Sequence, residues 1–251
     1  MSINSLIEPI NLIQGDCLEA LSKIPNNSID VVITSPPYNK AGYEGFIRKR
    51  NDKDSWKQRN VDYGDDPLND FMVEADYQAQ QITLLNMLRD KLTPDGSIFY
   101  NHKIRVAKHK ASHPIEWILK SNCIFRQQLV WDRSNSPAVA PIRYLPTTEL
   151  IFWLTKDAVQ PNFNRSTDLD FKGEVWRFMA ENNPNHPAPF PTALPMNILK
   201  NIQGDITVLD PYMGSGTVGV VCKQLGIKFI GIEKDPKYFE IAKNRINERS
   251  P

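Results

Sequence analysis

Cysteine is scarce in this 251-residue chain: Cys17, Cys123 and Cys222 are the three present, scattered and odd in number. That pattern offers neither a disulfide framework nor the paired spacing of a zinc site, so no metal is expected. Long apolar runs are also missing. No stretch approaches the ~20 residues that span a bilayer as a helix. The N-terminal MSINSLIEPI lacks the basic start and apolar core of a secretory signal. The expected compartment is the cytoplasm, with no membrane partner. An excess of one charge is absent too: 30 Lys and Arg against 29 Asp and Glu leave a net +1. A site for a polyanion therefore has to be a local patch.

The chain is 41% hydrophobic and 24% charged, ordinary for a globular protein, and its length suits one α/β domain over 1–251. Apolar runs predict seven strands: 12–14, 29–34, SIFYN, CIFRQQLVW, TELIFWLT, DITVLD and KFIGIE. Helical spacing is expected for CLEALSKI, about 70–91, HPIEWILKSN, 191–201, TVGVVCKQLG and 236–248. Pro94-Asp95-Gly96 predicts a turn. Strands alternating with helices imply a largely parallel sheet covered on both faces. Ligands of such sheets sit beyond the carboxyl ends of the strands. Four of those ends carry polar or glycine-rich turns: Gly15-Asp16, Ser35-Pro36, Asp210-Pro211 and Glu233.

VLDPYMGSGTVGVVCKQLGIKFIGIEKD places strand, glycine turn, helix, strand and acid in order. Gly214 and Gly216 permit a tight turn with close backbone approach. Glu233 closes the following strand, where an acid accepts hydrogen bonds from ribose hydroxyls. GSGTVG fits the dinucleotide fingerprint loosely, and a plain strand-turn-helix would look much the same.

DPYMGSGT resembles the cofactor motif of S-adenosylmethionine-dependent DNA amino-methyltransferases, and TSPPYN their catalytic motif. Gly15-Asp16-Cys17, one helix before TSPPYN, and HPAPFP at 186–191 are similar to further family segments. The catalytic motif precedes the cofactor motif, as in the circularly permuted β group. The resemblance implies a Rossmann-like seven-stranded sheet, mostly parallel with one antiparallel strand. It also implies S-adenosyl-L-methionine as cofactor. The cofactor set it implies is Asp16, Cys17, Ser35, His186, Pro191, Asp210, Pro211, Tyr212, Gly214, Ser215, Gly216, Thr217 and Glu233. Glu149, on a late strand, resembles a family position that is structural as readily as functional.

Ser35, Pro36, Pro37 and Tyr38 are the expected catalytic residues. An exocyclic amine is a poor nucleophile because its lone pair is delocalised into the ring. The Ser35 side chain and the Pro36 carbonyl can accept the amine hydrogens while two prolines hold that carbonyl rigidly. Tyr38 can stack on a base swung out of a duplex. Methylation at cytosine C5 uses a cysteine nucleophile, normally after proline. Here the cysteines follow Asp16, Asn122 and Val221, which disfavours that chemistry.

Double-stranded DNA is the expected partner. Lys103, Arg105 and Lys108 belong to a basic run that reads as phosphate contacts or as a solvated helix face. Arg48, Lys49 and Arg50 lie in the segment 39–66, polar and interleaved with aromatics. That segment and 156–190 are expected DNA-contact or target-recognition insertions. A homodimer and a cognate restriction endonuclease are partners by resemblance alone. The Ser form of the catalytic motif resembles cytosine-N4 enzymes, with adenine N6 as the alternative. RNA or protein amine methylation, or an inactive partner subunit, are more distant readings.

Overall fold

Val31, Val32 and Ile33 are all buried, as expected of a central strand covered on both faces. In the computed structural model, which describes residues 9–39, 46–48, 56–58, 72–107, 109–134, 144–179 and 191–248, they lie in strand β2 (Ile29–Thr34). The other strands are β1 (Ile10–Gln14), β3 (Phe46–Arg48), β4 (Trp56–Gln58), β5 (Leu92–His102), β6 (Arg105–Ala107), β7 (Lys110–Ser112), β8 (Ile124–Asp132), β9 (Thr148–Thr155), β10 (Val175–Arg177), β11 (Thr207–Asp210) and β12 (Lys228–Glu233). The helices are α1 (Cys17–Lys23), α2 (Glu74–Lys91), α3 (Ile115–Ile118), α4 (Ala193–Leu199), α5 (Thr217–Leu225) and α6 (Pro236–Asn247).

Eight strands form one sheet in the order β1-β12-β11-β2-β5-β9-β8-β10. Every pairing is parallel except those of β9 with β5 and with β8, so β9 alone runs against its neighbours. All seven expected strands are present. The eighth, β10, lies inside the weakly patterned segment 156–190 and pairs parallel with β8, Val175 opposite Val130. It escapes a periodicity search because only Trp176 of its residues turns inward.

Side-chain alternation builds two cores. Val32, Ile98, Tyr100, Phe152 and Leu154 face α1, α2 and α3, against Leu21, Leu84, Leu88 and Trp117. Val31, Ile33, Phe99, Ile151 and Trp153 face the other way, against Leu194, Val218, Val221, Ala242 and Ile246 of α4, α5 and α6.

Two local expectations are corrected. Pro94-Asp95-Gly96 lies within β5, where the register with β2 shifts between Ile29 opposite Leu92 and Val31 opposite Ser97; the extra residues form a bulge. The basic run after SIFYN is not helical: β6 and β7 pair as an antiparallel hairpin, turned through His109 at φ 62°.

Candidate active site

Strands β1, β12, β11, β2 and β5 are parallel neighbours, so their carboxyl ends share one edge of the sheet. Antiparallel β9 brings its first residues to that edge. Asp16, Glu233, Asp210, Ser35, Asn101 and Glu149 therefore line up across six adjacent strands.

The glycine-turn half comes first. Asp16 caps α1, its Oδ1 accepting from Leu18 N at 3.0 Å and Glu19 N at 3.4 Å. Gly15 N donates to Glu233 O at 2.9 Å, joining the ends of β1 and β12. The Glu233 carboxylate accepts from Gly214 N at 2.8 Å and Asp235 N at 2.9 Å, and burial pushes its pKa up. Asp210 is buried, accepts from Tyr212 N at 3.1 Å and adjoins Thr34; burial raises its carboxyl to about 7. Cys17 is buried against the Tyr212 hydroxyl, and burial lifts its thiol to about 11. Pro211 and Pro191 are buried, whereas His186 lies outside the described residues.

The glycines divide their work. Gly214 (φ 53°) and Gly216 (φ 81°) both adopt the left-handed conformation that side chains disfavour. A Cβ on Gly216 would stand 3.0 Å from both Ala242 Cβ and Ile246 Cδ1, so this glycine lets α6 pack on the start of α5. Arg245 secures the same turn: its Nη1 donates to Ser215 O at 3.0 Å, Ser215 Oγ at 3.1 Å and Thr217 Oγ1 at 3.1 Å. The Ser215 and Thr217 side chains are thus engaged inward.

The second half is built on the Ser-Pro-Pro-Tyr turn. Ser35 Oγ and Tyr38 Oη are 2.8 Å apart, and Tyr38 Oη donates to Glu149 Oε2 at 3.0 Å. Asn101 Nδ2 reaches Tyr38 Oη at 2.8 Å, Glu149 Oε2 at 3.0 Å and Ser35 Oγ at 3.3 Å. Arg133 pairs with Glu149 Oε1 at 3.1 Å. Pro36 is buried, and Pro37 O accepts from the Tyr77 hydroxyl at 2.8 Å. His102 lies under the Tyr38 ring at 4.6 Å between centroids, with its pKa driven well down by burial. Lys103 Nζ stands 5.3 Å from the Tyr38 ring centroid, on the edge of this group.

Arg105 departs from its expected role. It is buried and forked onto Glu74, with Nη1 and Nη2 each 2.7 Å from a carboxylate oxygen. Nη1 also donates to Asn39 O at 3.2 Å, and the guanidinium lies 4.8 Å from the Tyr77 ring centroid. Burial alone would raise the Glu74 carboxyl, but hydrogen bonds from Arg105 and Gln78 hold it below its usual range. Arg105 fastens the end of the Ser-Pro-Pro-Tyr turn and is not a surface phosphate contact. Arg48 ends β3, which pairs with β4; Lys49, Arg50 and Lys108 lie outside the described residues. In 156–179, Phe163 packs on Trp153 and Phe171 on Phe178, at 4.8 and 4.9 Å between centroids.

Asn101 and Arg133 were not singled out by the sequence, and Glu149 only as an even choice. For Asn101 and Glu149 the available signal was a polar residue at the end of an apolar run, whereas Arg133 follows the mixed strand IFRQQLVWD and had no such signal. Burial keeps all three thiols protonated, Cys17 and Cys123 at about 11 and Cys222 higher still, so none offers a ready thiolate nucleophile. Among the described residues no cluster of His, Cys, Asp and Glu could hold a metal, and no helix is long and apolar enough to cross a membrane.

Comparison with known proteins agrees with this geometry. A family profile described as DNA methylase, of the N6/N4 methyltransferase type, matches residues 29–244. Type II methyltransferase M.HinfI of Haemophilus influenzae is 28% identical over 269 residues, covering 100% of this chain and 71% of the relative. Type II methyltransferase M2.MboI of Moraxella bovis is 27% identical, over 96% and 89% respectively. Among solved structures, PvuII DNA methyltransferase (cytosine-N4-specific) superposes with a TM-score of 0.73 at 20% identity, covering 98% of this chain and 91% of that one. The M1.HpyAVI-SAM complex follows at 0.63 and 21%, covering 95% and 100%.

Proposed function

This chain belongs to the N6/N4 family of DNA methylases, and we propose that within it the chain methylates cytosine N4 of a base flipped from double-stranded DNA. The observation that carries the reading is Ser35. Its hydroxyl stands beside the rigid Pro36 and is held by Tyr38 and Asn101.

S-adenosylmethionine is the methyl donor of the family; when bound, it supplies an electrophilic methyl on a sulfonium centre. The residues present suit such a ligand. The carboxyl groups of Asp16, Asp210 and Glu233 stand at neighbouring strand ends, a match for a cationic molecule. Gly214 turns the chain beside them without a side chain. Asp16 and Glu233 would hold the nucleoside end, and Asp210 the amino-acid end.

Ser35 Oγ and the Pro36 carbonyl accept the two amine hydrogens of the target base. Both hydrogen bonds strengthen as the nitrogen becomes tetrahedral, so they stabilise the transition state more than the bound substrate. The Tyr38 ring, backed by His102, offers a stacking face. Transfer is direct, with no covalent enzyme intermediate, in keeping with three protonated thiols.

Nucleoside analysis of DNA incubated with the protein and S-adenosylmethionine tests the reading. N4-methylcytosine is the expected product. N6-methyladenine as sole product would move the target base and leave the amine chemistry standing. 5-Methylcytosine would overturn both.

A further inference from the structure

The hydrogens of the Ser35, Tyr38, Asn101 and Glu149 cluster have one consistent arrangement. A carboxylate paired with Arg133 only accepts, so the Tyr38 hydroxyl, 3.0 Å from Glu149 Oε2, donates to it. A phenol carries one hydrogen. The 2.8 Å contact between Ser35 and Tyr38 is therefore made by Ser35 donating to Tyr38. Asn101 Nδ2 donates to Tyr38 Oη and Glu149 Oε2, and reversing its amide would set Oδ1 against the carboxylate. Ser35 is left with its hydrogen directed away and, beside the longer 3.3 Å contact from Asn101 Nδ2, a lone pair available to a substrate amine. The same arrangement is a continuous path from Ser35 Oγ to a carboxylate. Asn101 and Glu149 are 3% and 7% exposed, so bulk water has poor access to this path.

We propose that Glu149 is the proton acceptor of the methyl transfer, reached through the hydroxyls of Ser35 and Tyr38. The proposal rests on the reading of this site as an amine methyltransferase. The amine nitrogen forms its bond to the methyl carbon with its own lone pair, and the pair of the broken S–CH3 bond stays on sulfur. The nitrogen is then cationic and sheds one proton to Ser35 Oγ. The Ser35 hydrogen passes to Tyr38 Oη, and the Tyr38 hydrogen to Glu149 Oε2. The positive charge that arrives with the sulfonium is cancelled at the carboxylate, which returns its proton to solvent as product leaves. Pairing with Arg133 does not disable Glu149 as a base. The alkylated amine regains conjugation with its ring on losing a proton, so it is a far stronger acid than any carboxylic acid. Arg133 instead fixes the carboxylate so that Oε2 faces Tyr38.

The test compares Glu149→Gln, Tyr38→Phe and the double variant with the wild type in single-turnover methyl transfer. Affinity for a duplex substrate and for S-adenosylhomocysteine is measured in parallel. Gln keeps the size of Glu149 and one accepting oxygen for Tyr38, gives up the pairing of the second oxygen with Arg133, and cannot take the proton. Phe keeps the ring on His102 and removes only the middle hydroxyl, so it folds even where the Gln variant does not. Each single variant is expected to slow transfer on the order of 10²-fold, the usual lower range for a lost proton-transfer partner. Both affinities stay unchanged, the double variant is no slower than the slower single one, and Glu149→Asp recovers part of the Gln loss. Wild-type rates in either single variant, or losses that multiply in the double one, would overturn the route. A wild type that methylates no DNA amine would instead overturn the functional reading beneath it, and that is seen before any variant is made.

Discussion

Tyr38 Oη lies 3.0 Å from Glu149 Oε2, although 111 positions separate the two residues in sequence. The contact exists because β9 is antiparallel. Its first turn-facing residue meets the ends of β2 and β5, where a parallel strand would have presented its far end.

Removing the Ser35 hydroxyl tests the acceptor that begins this network. Ser35→Ala leaves the Pro36 carbonyl in place. Loss of one preorganised partner typically costs on the order of 10²-fold or more in turnover. S-adenosylhomocysteine affinity should hold. Rapid-quench transfer rates together with calorimetry separate the two, and a loss confined to binding would refute the assignment.

The two turn glycines should fail differently. Gly214→Val forces a β-branched residue to φ 53° beside Glu233, and S-adenosylhomocysteine binding by calorimetry is expected to vanish. Gly216→Ala instead drives a methyl against Ala242 and Ile246. Its loss appears in stability, about 1–3 kcal/mol by urea unfolding, the usual cost of overpacking. Unchanged urea midpoints for Gly216→Ala would remove it from the α5–α6 contact.

Asp210 should trade stability for binding. Burial raises its folded carboxyl to about 7, above its ordinary value of 3.8. Between those values the folded state holds a proton that the unfolded state has lost, so stability falls as pH rises through the window. Asp210→Asn keeps an acceptor for Tyr212 N and has nothing to ionise. Above pH 7 its Tm should exceed that of the wild type, with each kcal/mol worth about 2–4 °C at this size. In acid the difference should close. Wild-type affinity for S-adenosylmethionine should rise with pH across the window, and that of the variant should be weak and flat. Calorimetry showing equal slopes would exclude Asp210 as the partner of the cofactor cation.

Arg105→Met should behave as a packing defect. Glu74 is half exposed, so the loss is on the order of 2 kcal/mol, below the ~3–5 of a fully buried pair. The slope of log affinity for DNA against log salt should match the wild type. A shallower slope would restore Arg105 to the phosphate contacts.

The central sheet was legible because apolar runs and a glycine turn are local signals. Five of the seven expected strands carry at least three consecutive apolar or β-branched residues, and the other two, LIQ and KFIGIE, carry two beside a turn or glycine, whereas β10 has one buried residue and pairs only through tertiary context. The cofactor turn and Ser35 were legible as short motifs. Asn101, Arg133 and the position of Glu149 were not, since their meaning depends on which strands are neighbours. Arg105 misled for the same reason: a basic run looks solvent-facing until Glu74 and two aromatic rings are folded against it.

Asn39 Nδ2 donates to Met72 O at 3.0 Å, and Arg133 N donates to Thr147 O at 2.9 Å. The ends of the segments 40–71 and 134–146 are therefore each clasped by a hydrogen bond near Ser35, Tyr38 and Glu149. Lengthening a closed loop costs little, about 0.6 kcal/mol for each doubling. Changes of length inside either segment are therefore expected to leave the strand ends that carry Ser35 and Glu149 in place. Chimaeras cut between the clasped residues should fold where cuts inside β5 or β9 do not.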